Sequence, residues 1–153
     1  MQKKKTIKSQ KQLDEIYHFT SSYSAMNILF DNVLRHDMNR DYLDSESTSF
    51  TTDINFYKKG ISGFKQYKKA IALVFNINKL EKASYKPKAH IYEGSKDYDY
   101  SKEEEIRIEG SITNVRKYIK KVLIIDRIAS KNNHEKGQLV KLLKKEKIEY
   151  LFI

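Results

Sequence analysis

Two continuous apolar runs constrain the fold of this chain more than any other feature of its sequence. Residues 122 to 125 (VLII) form the most apolar run, and residues 70 to 77 (AIALVFNI) form the longer one. Short apolar runs bounded by polar residues are typical of strands with both faces covered. Because charged residues make up 33% of the chain, such runs are where a core can form. We therefore predict two buried strands.

Shorter patterns around these runs predict a mixture of strands and helices. Residues 16 to 20 (IYHFT) favour a strand, and Ser21 and Ser22 are candidate N-caps of a helix. Apolar residues then recur at helical spacing: Met26, Leu29, Phe30 and Val33. Further strands are predicted at 47–52, 88–92 and 104–109, with a turn at 78–80. A helix at 138–147 and a strand at 148–153 close the chain as strand, helix, strand. The fold class is α+β.

Length and composition favour one domain without disulfide bonds or a membrane span. The chain has 153 residues, of which none is cysteine and 12% are aromatic. We predict a basic N-terminal arm over residues 1–14 and a single domain over residues 15–153. No apolar run approaches the roughly 18 residues of a membrane helix, and no apolar segment follows the basic start as in a signal peptide. We expect a soluble, cytoplasmic protein with no membrane partner.

The net charge of +10 bears on the binding partners of the protein. Nucleic acid, an acidic protein or an anionic cofactor would all be favoured, although general lysine richness explains the charge equally well. The glycines fit neither the P-loop nor the dinucleotide fingerprint. The four histidines have no close spacing, so we predict no metal site.

Two groups of residues suggest a functional site. On a strand, alternation places His18 and Thr20 on one face. This pattern fits either a binding site or a hydrogen-bonded histidine at the edge of the core. In the second group, Glu103, Glu105 and Arg107 share one strand face, where the arginine can position a carboxylate and keep it ionised. The alternative is a surface salt-bridge ladder on an edge strand, which would stabilise the fold little.

The order of these segments resembles the ADP-ribosyltransferase fold family, in particular its small phage- and toxin-type members. That family places a His or an Arg on the first core strand, then a Ser-Thr-Ser strand, then a Glu-x-Glu or single Glu motif. Here IYHFTS carries His18, residues 47 to 49 are Ser-Thr-Ser, and residues 103 to 105 contain Glu-x-Glu. The resemblance covers roughly residues 15 to 126. The chain departs from the family pattern in one respect. Members with the Ser-Thr-Ser motif carry an Arg on the first strand, whereas this chain has His18 there.

The resemblance implies split mixed β-sheets with flanking helices, and NAD as a substrate in the cleft between the sheets. It implies that His18, with Thr20 nearby, hydrogen-bonds NAD. Ser49 would support the nicotinamide ribose or orient Glu105, and Ser47 would also belong to the NAD-binding residues. One aromatic side chain would stack on the nicotinamide, with three candidates: Tyr42, Phe50 and Phe56.

The same resemblance assigns the catalytic roles. Glu105 would stabilise the positive charge that develops as nicotinamide leaves. Glu103 would orient or activate the acceptor, and Arg107 would support Glu105. The resemblance therefore implies a mono-ADP-ribosyltransferase, a transferase of the glycosyltransferase class, or an NAD-binding domain of that fold. Its acceptor would be a nucleic acid or a protein, in the cytoplasm of a bacterial host if a phage or mobile element encodes it.

Two other functions stay open on the sequence. A non-catalytic, phage-type inhibitor or regulator of the same fold could bind nucleic acid or an acidic protein through its basic face. A small nuclease would need carboxylates placed beside Lys or His to bind Mg²⁺. The paired Asp/Glu-x-Lys spacing that such a nuclease uses is not evident, so it ranks last.

Overall fold

The computed structural model describes residues 14–36, 47–58, 69–89 and 105–153. The strands in this part of the chain are β1 (Glu15–Thr20), β2 (Val33–Leu34), β3 (Ser47–Thr51), β4 (Ile71–Asn76), β5 (Lys88–Ala89), β6 (Glu105–Glu109), β7 (Ile112–Thr113), β8 (Ile119–Ile124) and β9 (Tyr150–Phe152). The α-helices are α1 (Ser22–Asp31), α2 (Ile77–Lys82), α3 (Asp126–Ala129) and α4 (Asn133–Lys145). Short 3₁₀ turns lie at Phe56–Lys58, Val115–Lys117 and Ser130–Asn132.

Seven strands form one mixed sheet in the order β5-β6-β3-β1-β4-β8-β9, and β2 pairs with β7 in a second sheet. The two apolar runs become β4 and β8, which are antiparallel neighbours. In β4 every residue from Ile71 to Phe75 has no exposed surface, as predicted for a strand covered on both faces. β9 runs parallel to β8 after the α4 crossover, so the predicted strand, helix, strand ending is confirmed.

The seven-stranded sheet divides between β1 and β3. β1 pairs with β4 along its whole length, from Glu15↔Asn76 to Thr20↔Ile71. With β3 it pairs only at Tyr17↔Thr51, whereas β3 pairs with β6 at all five of its residues. Strands β5, β6 and β3 therefore form one half of the sheet, and β1, β4, β8 and β9 form the other. The α+β class with split mixed sheets and flanking helices is confirmed.

Local capping explains where the first helix begins and ends. The Ser21 side chain accepts a hydrogen bond from the backbone N–H of Ser24 at 3.0 Å, which caps α1. The helix ends before Asn32, whose φ of 57° is left-handed. Of the predicted apolar stripe, Leu29 is buried, but Phe30 is 78% exposed and Val33 lies in β2. The helix therefore ends at Asp31, two residues before Val33, and Phe30 lies within it but off its buried face.

The predicted turn at residues 78–80 was wrong, because α2 occupies them. The Asn76 side chain accepts from the backbone N–H of Lys79 at 3.3 Å and caps this helix directly after β4. Within the described ranges, no helix is long and apolar enough to cross a membrane. The predicted basic arm stays a prediction, since residues 1–13 lie outside those ranges.

Candidate active site

The pairing of β3 with β6 brings the predicted serines and charged residues onto one face. Ser49 pairs with Arg107, and Thr51 pairs with Glu105. Directly paired residues, and alternate residues along each strand, point to the same side of a sheet. Ser47, Ser49, Glu105 and Arg107 therefore share a face, as the alternation in the sequence predicts for the two charged residues.

These four side chains form one hydrogen-bonded network around a carboxylate. Arg107 Nε donates to Glu105 Oε1 at 2.8 Å, and Ser49 Oγ donates to Glu105 Oε2 at 2.6 Å. Arg107 Nη1 also donates to Ser47 Oγ at 2.8 Å. Both oxygens of Glu105 are thus held, one from its own strand and one from the neighbouring strand. The Arg107 guanidinium that holds Glu105 is itself fixed by its hydrogen bond to Ser47.

The burial of the ion pair excludes the surface salt-bridge alternative. The side chains of Glu105 and Arg107 are each 8% exposed, and β6 lies inside the sheet between β5 and β3. Two buried charges lose hydration that their attraction restores only in part, so such a pair adds little to stability compared with apolar residues. A rigidly oriented carboxylate is, however, what electrostatic stabilisation of a developing cation requires. The buried Glu105–Arg107 pair is therefore better explained by a role in catalysis than by a contribution to the stability of the fold.

Backbone features at the other end of β6 support this register. Thr48 Oγ1 donates to the carbonyl of Gly110 at 2.8 Å, which joins β3 to the residue after β6. Gly110 has a φ of +75°, a left-handed conformation that glycine adopts without a steric penalty, and the strand ends there as predicted. A hydrogen bond beyond the last paired residues therefore supports the register that pairs Ser49 with Arg107 and places Ser49 near Glu105.

His18 contacts this network through the backbone of Ser49. Its Nδ1 lies 2.9 Å from the Ser49 carbonyl oxygen, and because a carbonyl only accepts, Nδ1 carries the proton and Nε2 is an acceptor. Burial lowers the pKa of His18 to about 4, although the hydrogen bond to Ser49 opposes the shift. The imidazole is therefore neutral near pH 7. It bridges β1 and β3 where the sheet divides.

The register places His18 beside Phe50 rather than beside the carboxylate. Tyr17 pairs with Thr51, so alternation along β1 puts Tyr17 on the face of Glu105 and His18 on the opposite face with Thr20. The rings of His18 and Phe50 meet edge to face at 5.7 Å. This geometry matches the hydrogen-bonded histidine at the edge of the core. Thr20 is 8% exposed on the same side of the strand.

Phe50 is the predicted stacking residue that the structure corrects. It is 3% exposed, and its ring packs edge to face against Phe75 at 5.3 Å. It lies on the face of β3 opposite Ser49, so it is a core residue and presents no free ring face to a ligand. Phe56 begins a 3₁₀ turn after β3. Tyr42 and Glu103 lie outside the described residues, so their predicted roles stay predictions.

Tyr17, rather than His18, is the residue of β1 on the face of Glu105. It is half-buried on the Glu105 face of β1, and its hydroxyl donates to Glu15 Oε1 at 3.4 Å. Burial, and then the charge of Glu15, raise the pKa of Tyr17, so its phenol keeps its proton. The alternation along IYHFT shows that Tyr17 and His18 lie on opposite faces of the strand. Only the register between β1 and β3 decides which of the two lies on the face of Glu105.

Comparison with solved structures identifies this arrangement of strands. DarT of Thermus sp. 2.9 in complex with carba-NAD+ matches with a TM-score of 0.58 and 12% identity over 92% of this chain and 95% of that chain. Its complex with NAD+ gives 0.57 at 11% identity, over 92% and 95% of the two chains. Its complex with ADP-ribosylated ssDNA gives 0.59 at 11% identity, over 92% and 94%.

Sequence comparison alone does not detect this likeness. No protein-family model matches the chain, and no curated protein sequence matches it significantly. At 11–12% identity the structural likeness shows a shared fold, and it extends over nearly the whole length of both chains. DarT is an ADP-ribosyltransferase. The chain therefore has the ADP-ribosyltransferase fold, which the order of its sequence motifs predicts.

Proposed function

We propose that this protein is an NAD-dependent mono-ADP-ribosyltransferase whose acceptor is a nucleic acid. The observation that carries the proposal is the buried Glu105 carboxylate, held at both oxygens by Ser49 and Arg107 within the ADP-ribosyltransferase fold. The DarT complexes with NAD+ and with ADP-ribosylated ssDNA support the substrate and the class of acceptor. The net charge of +10 favours a polyanionic acceptor.

The chemistry requires a fixed negative charge beside the reacting ribose. The bond between ribose C1′ and the nicotinamide nitrogen breaks, and the electron pair leaves with nicotinamide. Positive charge develops on the ribose, and the Glu105 carboxylate stabilises it or accepts a hydrogen bond from a ribose hydroxyl. A nucleophilic atom of the acceptor then bonds to C1′ and loses its proton. We assign Glu103 to orienting or activating that nucleophile.

The remaining predicted residues act on binding and position. Ser49 and Arg107 keep Glu105 in one orientation, and Ser47 fixes Arg107. His18 lies on the face opposite Glu105, so we propose that it reaches NAD at the junction of β1 and β3, with neutral Nε2 as an acceptor for a hydroxyl and Thr20 beside it on β1. We further propose a toxin-like, phage- or mobile-element-encoded protein that acts in the cytoplasm of a bacterial host. The lack of cysteine is consistent with a reducing compartment.

The test is transfer of label from ³²P-NAD to single-stranded DNA, double-stranded DNA, RNA and lysate protein. We expect labelling of nucleic acid by the wild type and none by Glu105→Gln, which keeps the size of the side chain but removes its charge and replaces one acceptor oxygen with an NH₂ donor. Circular dichroism of this variant checks that the fold survives the loss of the charge beside Arg107. Glu109→Gln is the matched control, because Glu109 is an exposed glutamate of the same strand. Labelling of protein alone would reject the acceptor class. No NAD binding or turnover by the wild type would reject the function.

A second function is favoured by the charge of +10 together with the core position of His18. The protein would then be a non-catalytic inhibitor or regulator that binds nucleic acid or an acidic partner. This alternative predicts binding that weakens steeply with salt and is unchanged in Glu105→Gln. Turnover of NAD by the wild type, lost in that variant, would decide against it.

A further inference from the structure

We infer that a lysine-rimmed groove between α2 and the segment before β8 binds single-stranded nucleic acid and guides it toward Glu105. The groove has a volume of about 320 Å³ and is lined by Lys79, Lys82, Ala83, Lys117 and Tyr118. The inference extends the proposed function, because it names the surface that would hold the acceptor. Its test nevertheless separates binding at the groove from catalysis.

The groove combines a cationic rim with an apolar floor. Lys79, Lys82 and Lys117 are exposed, and within the described ranges no ion pair engages them. Tyr118 is 7% exposed, with the Lys117 ammonium 5.9 Å from its ring centroid. Single-stranded nucleic acid uses both a cationic rim and an apolar floor. Its phosphates bind cations, and its sugars and bases pack on apolar or aromatic surface.

The floor is rigid. The Tyr118 ring meets the Tyr85 ring edge to face at 5.7 Å, and the Tyr85 hydroxyl accepts from the backbone N–H of Thr113 at 3.2 Å. The Tyr118 carbonyl accepts from the backbone N–H of Asn76 at 3.4 Å, which ties the floor to the start of α2. The groove is thus preformed, and a ligand would not have to order it.

Helix stability explains only part of this charge cluster. Lys79 and Lys82 lie in the last turn of α2, where cations favour the helix dipole. Lys117 belongs to a separate 3₁₀ turn, yet it completes the rim from the opposite side. Three cations from two elements, none of them paired with a carboxylate of the described residues, surround one apolar floor, and this arrangement indicates a site for a polyanion.

A neighbouring depression provides an internal contrast. Lys117 also lines it, but there Arg116 pairs with Glu146, and Lys120 pairs with Glu15 at 2.6 Å. Its volume of about 530 Å³ is larger, but two of its cations, Arg116 and Lys120, already have carboxylate partners, and Glu149 adds a further negative charge to its lining. Charge complementarity therefore favours the smaller groove for an anionic strand.

The sheet register relates the groove to the candidate active site. Glu105, Thr51, Tyr17 and Val74 are successive partners along one line across β6, β3, β1 and β4. Two residues beyond Val74, β4 ends and α2 begins. With about 4.8 Å between strands and 3.3 Å per residue, the end of β4 at Asn76 lies about 16 Å from Glu105, and Lys79, at the rim of the groove, lies within one helical turn of that point. About five stacked nucleotides, at roughly 3.4 Å each, span that distance.

The test is fluorescence anisotropy of a labelled oligothymidylate of about 12 nucleotides, titrated at several salt concentrations. We expect the triple variant Lys79→Ala, Lys82→Ala, Lys117→Ala to bind about tenfold more weakly at low salt, with a salt slope shallower by about 2. The matched control removes the same charge from exposed lysines outside both depressions: Lys131, Lys141 and Lys144. It should bind almost as the wild type does.

Three further readouts make the outcome decisive. The corresponding triple Lys→Arg variant should retain binding, and the triple Ala variant should keep its circular dichroism spectrum and its hydrolysis of NAD without DNA. Glu105→Gln should bind the oligonucleotide normally, so a failure of the proposed catalysis leaves the groove testable. Wild-type affinity and salt slope in the triple Ala variant, or an equal loss in the control, would overturn the inference. Displacement by polyglutamate of equal charge at equal concentration would also overturn it.

Discussion

Ser49 holds Glu105 from the neighbouring strand, with its hydroxyl oxygen 2.6 Å from Oε2 of the carboxylate. The carbonyl of the same residue accepts from His18 Nδ1 at 2.9 Å. One residue of β3 therefore links β6 through its side chain and β1 through its backbone, at the place where the sheet divides. The orientation of the carboxylate is tied in this way to the junction between the two halves of the sheet.

Ser49→Ala should lower the turnover of NAD while the fold is kept. A hydrogen bond to a charged group contributes about 1.5–3 kcal/mol, which corresponds to a rate loss of about 10- to 100-fold. Ser49→Thr keeps a hydroxyl and should retain more activity. Initial rates of nicotinamide release by the wild type and the two variants test this. Equal rates for Ser49→Ala and the wild type would show that Glu105 does not need this donor.

Arg107→Ala should destabilise the fold strongly, because it leaves the buried Glu105 carboxylate without its cation. Removing one partner of a buried pair costs about 3–5 kcal/mol. The matched control is Arg35→Ala, because Arg35 pairs with Asp31 on the surface with side chains 63% and 41% exposed. Its loss should cost less than about 1 kcal/mol. Urea denaturation of the two variants measures both values, and similar midpoints would contradict the burial of the Glu105–Arg107 pair.

The sequence predicted those features that depend on local periodicity. Two apolar runs gave β4 and β8, and alternation placed Glu105 and Arg107 on one face. Alternation along β3 also places Phe50 on the face opposite Ser49. The sequence therefore contains the evidence for a core position of Phe50, although the family resemblance favours a stacking role for it. Similarly, Asn76 was a visible helix cap, yet the short helix after it was predicted as a turn.

Features that depend on long-range register could not be predicted. Whether His18 or Tyr17 faces Glu105 is decided by the single pair Tyr17↔Thr51, and a shift of one residue would exchange them. Nothing local in β1 or β3 determines that pair. Likewise, β6 lies inside the sheet because β5 pairs with its outer edge, and the sequence around Glu105 does not show this pairing.

The stability of the protein should depend on pH through His18. The unfolded imidazole takes up a proton near pH 6.5, whereas burial lowers the pKa of the folded form to about 4. Between these values the unfolded state binds more protons, so the free energy of unfolding falls as pH falls, by up to about 1.4 kcal/mol per unit. This contribution is fully present above pH 6.5.

The measurement for His18 is urea denaturation from pH 4.5 to 7.5. His18→Gln should flatten the slope between pH 4.5 and 6.5, because the group that titrates differently in the two states is gone. His134→Asn is the control, since His134 is exposed on α4. Parallel curves for the wild type and His18→Gln would contradict burial of the imidazole.

Two glycine substitutions should change stability in opposite directions. A Cβ at Gly110 or at Gly137 would meet nothing within 4 Å, so only backbone conformation distinguishes the two sites. Gly110 has a φ of +75°, where an L-residue costs about 1–2 kcal/mol, so Gly110→Ala should destabilise the protein. Gly137 lies inside α4, where alanine is favoured by about 1 kcal/mol, so Gly137→Ala should stabilise it. Thermal unfolding of both variants tests the pair, and shifts of Tm in the same direction would contradict the left-handed conformation of Gly110 or the helical conformation of Gly137.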